Sequence, residues 1–222
     1  MSMAGRVARH KPQPIPVREG GFGGAYGLAD YIQRHNISHV VDATHPFAAQ
    51  MSENAIAACQ SSGAQLVAFT RAAWTEVAGD RWTHVPDLKA ASATLDRSSR
   101  RVFLAIGRMH LEQFSDKTQH FYLLRLVDKP TEPLAFADHK VIVARGPFDP
   151  DADLSLLHDH DIDLVVSKNA GGSGAYAKIE AARKLGIEVV MIQRPKITPR
   201  HEVHSAEAVM TWLKGHKTDL GV

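Results

Sequence analysis

Three stretches of the chain hold residues whose type and spacing suit chemistry. In Lys168-Asn169-Ala170-Gly171-Gly172-Ser173-Gly174 a cation runs into a glycine-rich turn. Where such a turn leaves a strand and opens a helix, it gathers backbone N–H groups and the positive end of the helix dipole at one point. That suits a phosphate or a carboxylate. A plain glycine turn is the alternative, since the spacing is not that of a Walker loop and only loosely that of GxGxxG. In Asp42-Ala43-Thr44-His45-Pro46-Phe47-Ala48, Thr44 or His45 is placed to cap a helix starting at Pro46, and capping alone accounts for Thr44. His45 is also a candidate general acid facing a ligand, whereas Asp42 is better suited to satisfying nearby backbone donors. The third set is dispersed: Arg71, Arg108, Arg145, Lys168 and Arg194 each follow an apolar run, so that five of six strand ends carry a permanent cation. Together they suit a ligand with several carboxylates or phosphates; singly, each reads equally well as a solvated loop charge.

Other chemistry finds little support. No Ser/His/Asp set, Cys/His pair, HExxH or CxxC is present, and the 13 histidines are scattered. His158-Asp159-His160-Asp161 and His201-x-x-His204 lie in polar stretches that connections between elements account for, so no metal site is expected. Lys and Arg total 26 against 24 Asp and Glu, a net charge of +2, too balanced for a protein whose main partner is nucleic acid. Cys59 is the single cysteine, which excludes a disulfide scaffold and fits a reducing compartment. No apolar run approaches the ~18–20 residues of a membrane span, and the first residues lack the apolar core of a signal peptide. The expectation is a soluble cytoplasmic protein with no obligatory protein partner.

The elements that must position these residues alternate between helix and short apolar strand, the pattern of α/β folds with parallel sheets. Residues 1–24 read as irregular chain ending in Gly20-Gly21-Phe22-Gly23-Gly24, a weaker turn because no strand is evident before it. Helices are expected at Ala25–His35, Pro46–Ser62, Asp87–Arg97, Asp151–His160, Gly174–Leu185 and Ala206–Lys214. Strands are expected at Ile37–Ala43, Gln65–Thr70, Val102–Ile106, Phe121–Val127, Val141–Ala144, Asp163–Ser167 and Glu188–Ile192. A loop carries Trp74 and Trp82, and Asp128–Asp138 is another. Ile37-Ser38-His39-Val40-Val41 aligns with Ile162-Asp163-Leu164-Val165-Val166. The nine residues from Gly63 to Arg71 align in turn with the nine from Gly186 to Arg194, and the intervening helices differ by two residues. Two similar halves follow. The fold class is α/β, two Rossmann-like domains with parallel sheets and a cleft between them. The expected domains are 1–98 and 99–222, with the last helix able to pack back on the first.

The motifs Gly21-Phe22-Gly23-Gly24, Asp42 to Ala48, Leu104-Ala105-Ile106-Gly107-Arg108, Arg145-Gly146-Pro147-Phe148, Lys168 to Gly172 and Arg194-Pro195 are each weak, but their order and spacing are specific. In them the chain resembles the precorrin-6A reductase family over essentially its whole length. The resemblance implies hydride transfer from NADPH to a tetrapyrrole, giving precorrin-6B in cobalamin biosynthesis. It also implies NADPH contacts from Gly5, Arg6, Thr44, Lys168, Asn169, Gly171 and Gly172, and substrate contacts from Arg71, Arg108, Arg145 and Arg194. His45 is the candidate proton donor.

Members of the family look as though they open with an apolar strand and a GGT-type glycine loop, then reach an Ala-Gly-Arg run. Here Ala4-Gly5-Arg6 stands almost at the start. The resemblance therefore implies a misassigned start or a shortened chain, with Arg6 meeting the 2′-phosphate. Two other functions are open at this level: a cofactor-free two-domain tetrapyrrole enzyme of the uroporphyrinogen-III synthase type, and a polyanion-binding protein without catalysis.

Overall fold

A computed structural model describes residues 1–3 and 14–215. The chain forms two units, one from Met1–Ala72 with Pro195–Val222 and the other from Ala73–Arg194. In the first, β1 (Ser2–Met3) and β2 (Arg18–Glu19) form a parallel pair, followed by α1 (Gly24–Arg34), β3 (His39–Asp42), α2 (Ala49–Ser62) and β4 (Gln65–Phe69). The second holds β5 (Trp82–Val85), α3 (Leu88–Ala93), β6 (Arg101–Ala105), a 3-10 helix (Arg108–Phe114), β7 (Phe121–Leu126), β8 (Asp138–Val143), α4 (Pro150–Asp159), β9 (Leu164–Lys168), α5 (Ala177–Leu185) and β10 (Glu188–Ile192). The chain then returns to the first unit with β11 (Glu202–Val203) and α6 (Ala206–Gly215).

All pairings are parallel: β5-β10-β9-β6-β7-β8 in the second unit and β11-β4-β3 in the first. Central β9 reads Leu-Val-Val-Ser-Lys and is buried throughout, as a strand covered on both faces must be. Phe103, Leu123, Val165, Ile179 and Met191 are fully buried in the core around it. In the first unit α1 turns Leu28, Ala29 and Ile32 toward Ala55, Ala58 and Cys59 of α2, an apolar stripe at helical spacing. Among the described residues no helix is long and apolar enough to cross a membrane.

The internal repeat is realised in the strand register. His39 pairs with Gln65 and Leu164 with Glu188, the same positions of the two aligned segments. Gly63 and Gly186 both end their helices in the left-handed region, at φ 77° and 65°, where glycine carries no Cβ penalty. The likeness extends backward: Asn36 and Asp161, each just before the aligned strand, both have φ 49°. It also extends forward. β5 with α3 and β11 with α6 are built alike, with Asp87 accepting from the Ala90 N–H and Ser205 from the Ala208 N–H at the helix starts. These strand–helix tails are exchanged, because β5 follows β4 but pairs with β10, while β11 follows β10 but pairs with β4.

That exchange moves the division expected near residues 98 and 99: β5 and α3 belong with the second unit, and residues from Pro195 onward with the first. Trp82–Val85, read as loop, is an edge strand whose exposed Thr83 and His84 hide its period. β8 begins at Asp138 rather than Val141 for the same reason, its first outward residues, Asp138 and Lys140, being polar. Residues 1–24 are not wholly irregular, since β2 leads directly into the Gly20–Gly24 turn and α1. Gly27 in α1 is held close: a Cβ there would lie 1.8 Å from the Phe22 carbonyl oxygen.

Candidate functional site

Because every strand of the six-stranded sheet is parallel, the carboxyl ends of β10, β9, β6, β7 and β8 share one edge, the edge where open α/β sheets bind ligands. Reading across it, the residues that follow the strands are Arg194, Lys168-Asn169, Gly107-Arg108, Asp128 and Arg145. Four of the five predicted strand-end cations therefore lie along one line. Arg71 does not; it follows β4 in the first unit, where it is exposed.

Lys168 is buried, and burial lowers its pKa from the usual lysine range to about 8. Beyond it Gly171 and Gly172 both take positive φ, 70° and 68°, a backbone course that side chains resist. The helix expected to start at Gly174 starts at Ala177, with the turn Gly174-Ala175-Tyr176 intervening. The helix dipole is thus one turn further from the glycines than the spacing predicts. The Arg145–Phe148 loop packs against this turn. The Phe148 N–H donates to the Gly174 carbonyl at 3.2 Å, and a Cβ on Gly146 would lie 3.0 Å from the same oxygen. Arg145 is exposed and pairs with Asp128 at 3.6 Å; Arg108 is exposed, with Nη2 3.5 Å from the Thr131 hydroxyl.

Asn169 and Arg194 face the turn itself. The Asn169 amide accepts the Trp74 N–H at 2.8 Å and donates to the Trp74 carbonyl at 2.9 Å. Arg194 donates from Nε to the Asn169 carbonyl and from Nη2 to that of Ala170. Below the Trp74 ring, at 4.9 Å, lies the fully buried Lys178 ammonium, which donates to the Ala175 carbonyl at 2.6 Å. Burial is the main cause that lowers its pKa to about 7; the Arg125 charge adds to this and Asp153 opposes it. Arg125 and Asp153 form a buried ion pair, with the guanidinium 3.7 Å from the Phe148 ring centroid.

In the first unit the end of β3 has a comparable construction. Asp42 is buried, its Oδ1 accepting from the N–H and hydroxyl of Thr44 at 3.0 and 2.7 Å, its Oδ2 from Ser52 and Arg200 at 2.7 Å each. Burial by itself raises the Asp42 pKa, but the hydrogen bonds from Thr44 and Ser52 and the Arg200 charge outweigh it and hold the carboxyl below its ordinary value. Thr44 therefore serves Asp42 and does not cap α2, which begins at Ala49 without a side-chain cap. His45 is exposed, and its Nδ1 accepts the Phe47 N–H at 3.2 Å, which leaves the neutral ring's proton on Nε2. Gly5 and Arg6 lie outside the described residues. Among the described residues no three His, Cys, Asp or Glu side chains come together as a metal site.

Trp74, Arg200, Lys178 and the Arg125–Asp153 pair were not singled out by sequence. Trp74 stands in a loop without periodicity, and Arg200 meets an aspartate 158 residues away. The one signal is that Arg125 and Lys178 interrupt otherwise apolar faces.

The family model for precorrin-6x reductase CbiJ/CobK matches residues 1–214. The chain belongs to that family. It is 56% identical over 215 residues to "Precorrin-6A reductase" of Rhodobacter capsulatus, covering 97% of this chain and 86% of that protein. It is 40% identical to "Precorrin-6A reductase" of Rhodococcus erythropolis, over 96% of this chain and 86% of that one. It is 29% identical to "Cobalt-precorrin-6A reductase" of Priestia megaterium, over 77% and 70%. A solved structure, "CobK precorrin-6A reductase", superposes with a TM-score of 0.91 at 56% identity, covering 92% of this chain and 84% of that one. Membership makes the chain an oxidoreductase of the precorrin-6A reductase family rather than an enzyme of the uroporphyrinogen-III synthase type.

Proposed function

We propose that the chain reduces precorrin-6A to precorrin-6B in cobalamin biosynthesis, with NADPH as the hydride donor. The observation that carries this reading is the family match through residues 1–214, together with 56% identity to a relative that bears that activity in its name. NADPH supplies the hydride when bound; the protein's task is to orient the ring system and exclude water. The donor set fits an anion: a buried lysine, then two glycines of positive φ. Lys168, Gly171 and Gly172 hold cofactor phosphate in this reading, and Gly5 and Arg6 the 2′-phosphate. The hydroxyl of Thr44 and the amide of Asn169 are engaged by Asp42 and Trp74, so both support NADPH through the backbone they fix. Arg71, Arg108, Arg145 and Arg194 meet the acidic side chains of the macrocycle, for which guanidinium is well matched. His45, once it has taken up a proton from solvent to become the imidazolium, delivers one to the reduced ring and returns to the neutral form.

Five relatives named for precorrin-6A are 36–56% identical to this chain, and three named for the cobalt form 28–30%. That grading supports cobalt-free precorrin-6A as the substrate. The test is NADPH oxidation followed by absorbance with precorrin-6A, NADH serving as the control cofactor. Turnover with NADPH is expected. Its absence with folded protein sinks the reductase reading, and faster turnover of cobalt-precorrin-6A sinks the choice of substrate.

A further inference from the structure

The chain passes between its units at Ala72/Ala73 and again at Arg194/Pro195. Both junctions are fastened to the same five-residue turn, Lys168–Gly172. On the outgoing side the Trp74 N–H and carbonyl are both taken by the Asn169 amide, and the Trp74 indole N–H donates to the Gly172 carbonyl at 2.7 Å. On the returning side Arg194 holds the Asn169 and Ala170 carbonyls at 3.0 and 3.2 Å. Asn169 is buried, and its amide serves both sides of the clamp, accepting from an N–H through its oxygen and donating to a carbonyl through its nitrogen. An aspartate would set a second oxygen against the Trp74 carbonyl.

We infer that Asn169 is a positioning residue, whose clamp on Trp74 links an anion held on the glycine turn to the course of both junctions between the units. The inference rests on the reading above only in taking the turn as a ligand-binding element. Its energetic basis is preorganisation: a turn held in one conformation does not spend ligand affinity on ordering itself.

Hydrogen–deuterium exchange on the full chain tests this, with NADPH and precorrin-6A added separately. In wild type, whichever ligand slows exchange of residues 168–174 is expected to slow the peptides around Trp74 and Arg194 together. In Asn169→Asp the Trp74 amide is expected to exchange at least tenfold faster without ligand, and ligand should protect the turn alone, with affinity at least tenfold weaker. Trp74→Phe keeps the backbone clamp, so the residue-74 amide should stay protected to within about threefold of wild type. A ligand that protects the turn while both junctions exchange as in free protein overturns the inference. So does the lack of turn protection by either ligand, or an Asn169→Asp chain with unchanged Trp74 exchange. These readouts need no turnover, so absent NADPH oxidation would sink the reductase reading without deciding this one.

Discussion

Replacing Lys178 by methionine should flatten the pH dependence of stability above neutrality. The Lys178 side chain is wholly enclosed, and its pKa in the folded protein is lowered from 10.5 to about 7, chiefly by burial. Between these values the unfolded chain holds a proton that the folded chain has released. Stability therefore rises with pH there, by about 1.4 kcal/mol per pH unit for one proton. Integrated from pH 7 to 9, with the folded group half protonated at the start, the gain is about 2 kcal/mol. Methionine has similar length and no charge to desolvate, so the variant lacks this contribution, while the other groups are common to both proteins and cancel in the difference. It gives up one hydrogen bond to the Ala175 carbonyl, a roughly constant cost of about 1 kcal/mol. Urea unfolding followed by circular dichroism at pH 7, 8 and 9 measures the difference. The gap between wild type and Lys178→Met should change by about 2 kcal/mol in favour of wild type across that range. Parallel curves would falsify the lowered pKa of the buried Lys178 side chain.

Asp42→Asn should destabilise the first unit by about 1–3 kcal/mol in thermal or urea unfolding, because it removes the charge on the 2.7 Å contact to Arg200, which keeps only Glu202 at 3.3 Å. Since the Asp42 pKa is lowered on folding, wild-type stability from this group is present above the usual carboxylate range and lost as pH falls through the folded value; the variant should lack that loss. Gly27→Ala should cost at least 2 kcal/mol despite the better helix propensity of alanine, because its Cβ would meet the Phe22 carbonyl at 1.8 Å; a melting temperature equal to wild type would contradict the close approach. Arg108→Ala and Arg145→Ala, both exposed, should change stability by less than about 0.5 kcal/mol yet raise KM for precorrin-6A about tenfold or more, and unchanged KM would remove them from the substrate site. His45→Ala should slow single-turnover reduction about 100-fold or more, and an unaltered rate would exclude His45 as the proton donor.

What could be read from sequence divides along physical lines. The strands β4, β9 and β10 announced themselves because parallel strands inside a sheet are short apolar runs, the internal repeat marked the edge strand β3 by its likeness to β9, and the glycines after α2 and α5 marked the helix ends. The half-exposed edge strands β5 and β8 did not, since an edge keeps polar residues on its open side. Thr44 and Asn169 stand out in the sequence, and in the structure each side chain has an internal partner, Asp42 and Trp74. A polar residue at a strand end satisfies a ligand or the chain's own backbone equally well, and only three-dimensional proximity to Asp42 or Trp74 distinguishes the two. Of the exchange of tails only the return of the last helix to the first domain was expected; the pairing of β5 with β10 was not, because β5 and β11 are alike enough that neither local pattern nor spacing assigns them a sheet.

That exchange also sets an order of events during synthesis. β4 is complete once residue 69 has left the ribosome, but its partner β11 begins at residue 202. At about 5–20 residues per second the exposed edge of β4 waits roughly 7–27 seconds for the strand that covers it. During that interval β5 and α3 are already made and have the same construction as the missing tail. The second unit removes this competitor by drawing β5 onto β10, which must itself be translated first. Assembly of the first sheet is therefore timed by completion of the second, and codon changes that slow the stretch between β5 and β10 should prolong the exposure of β4.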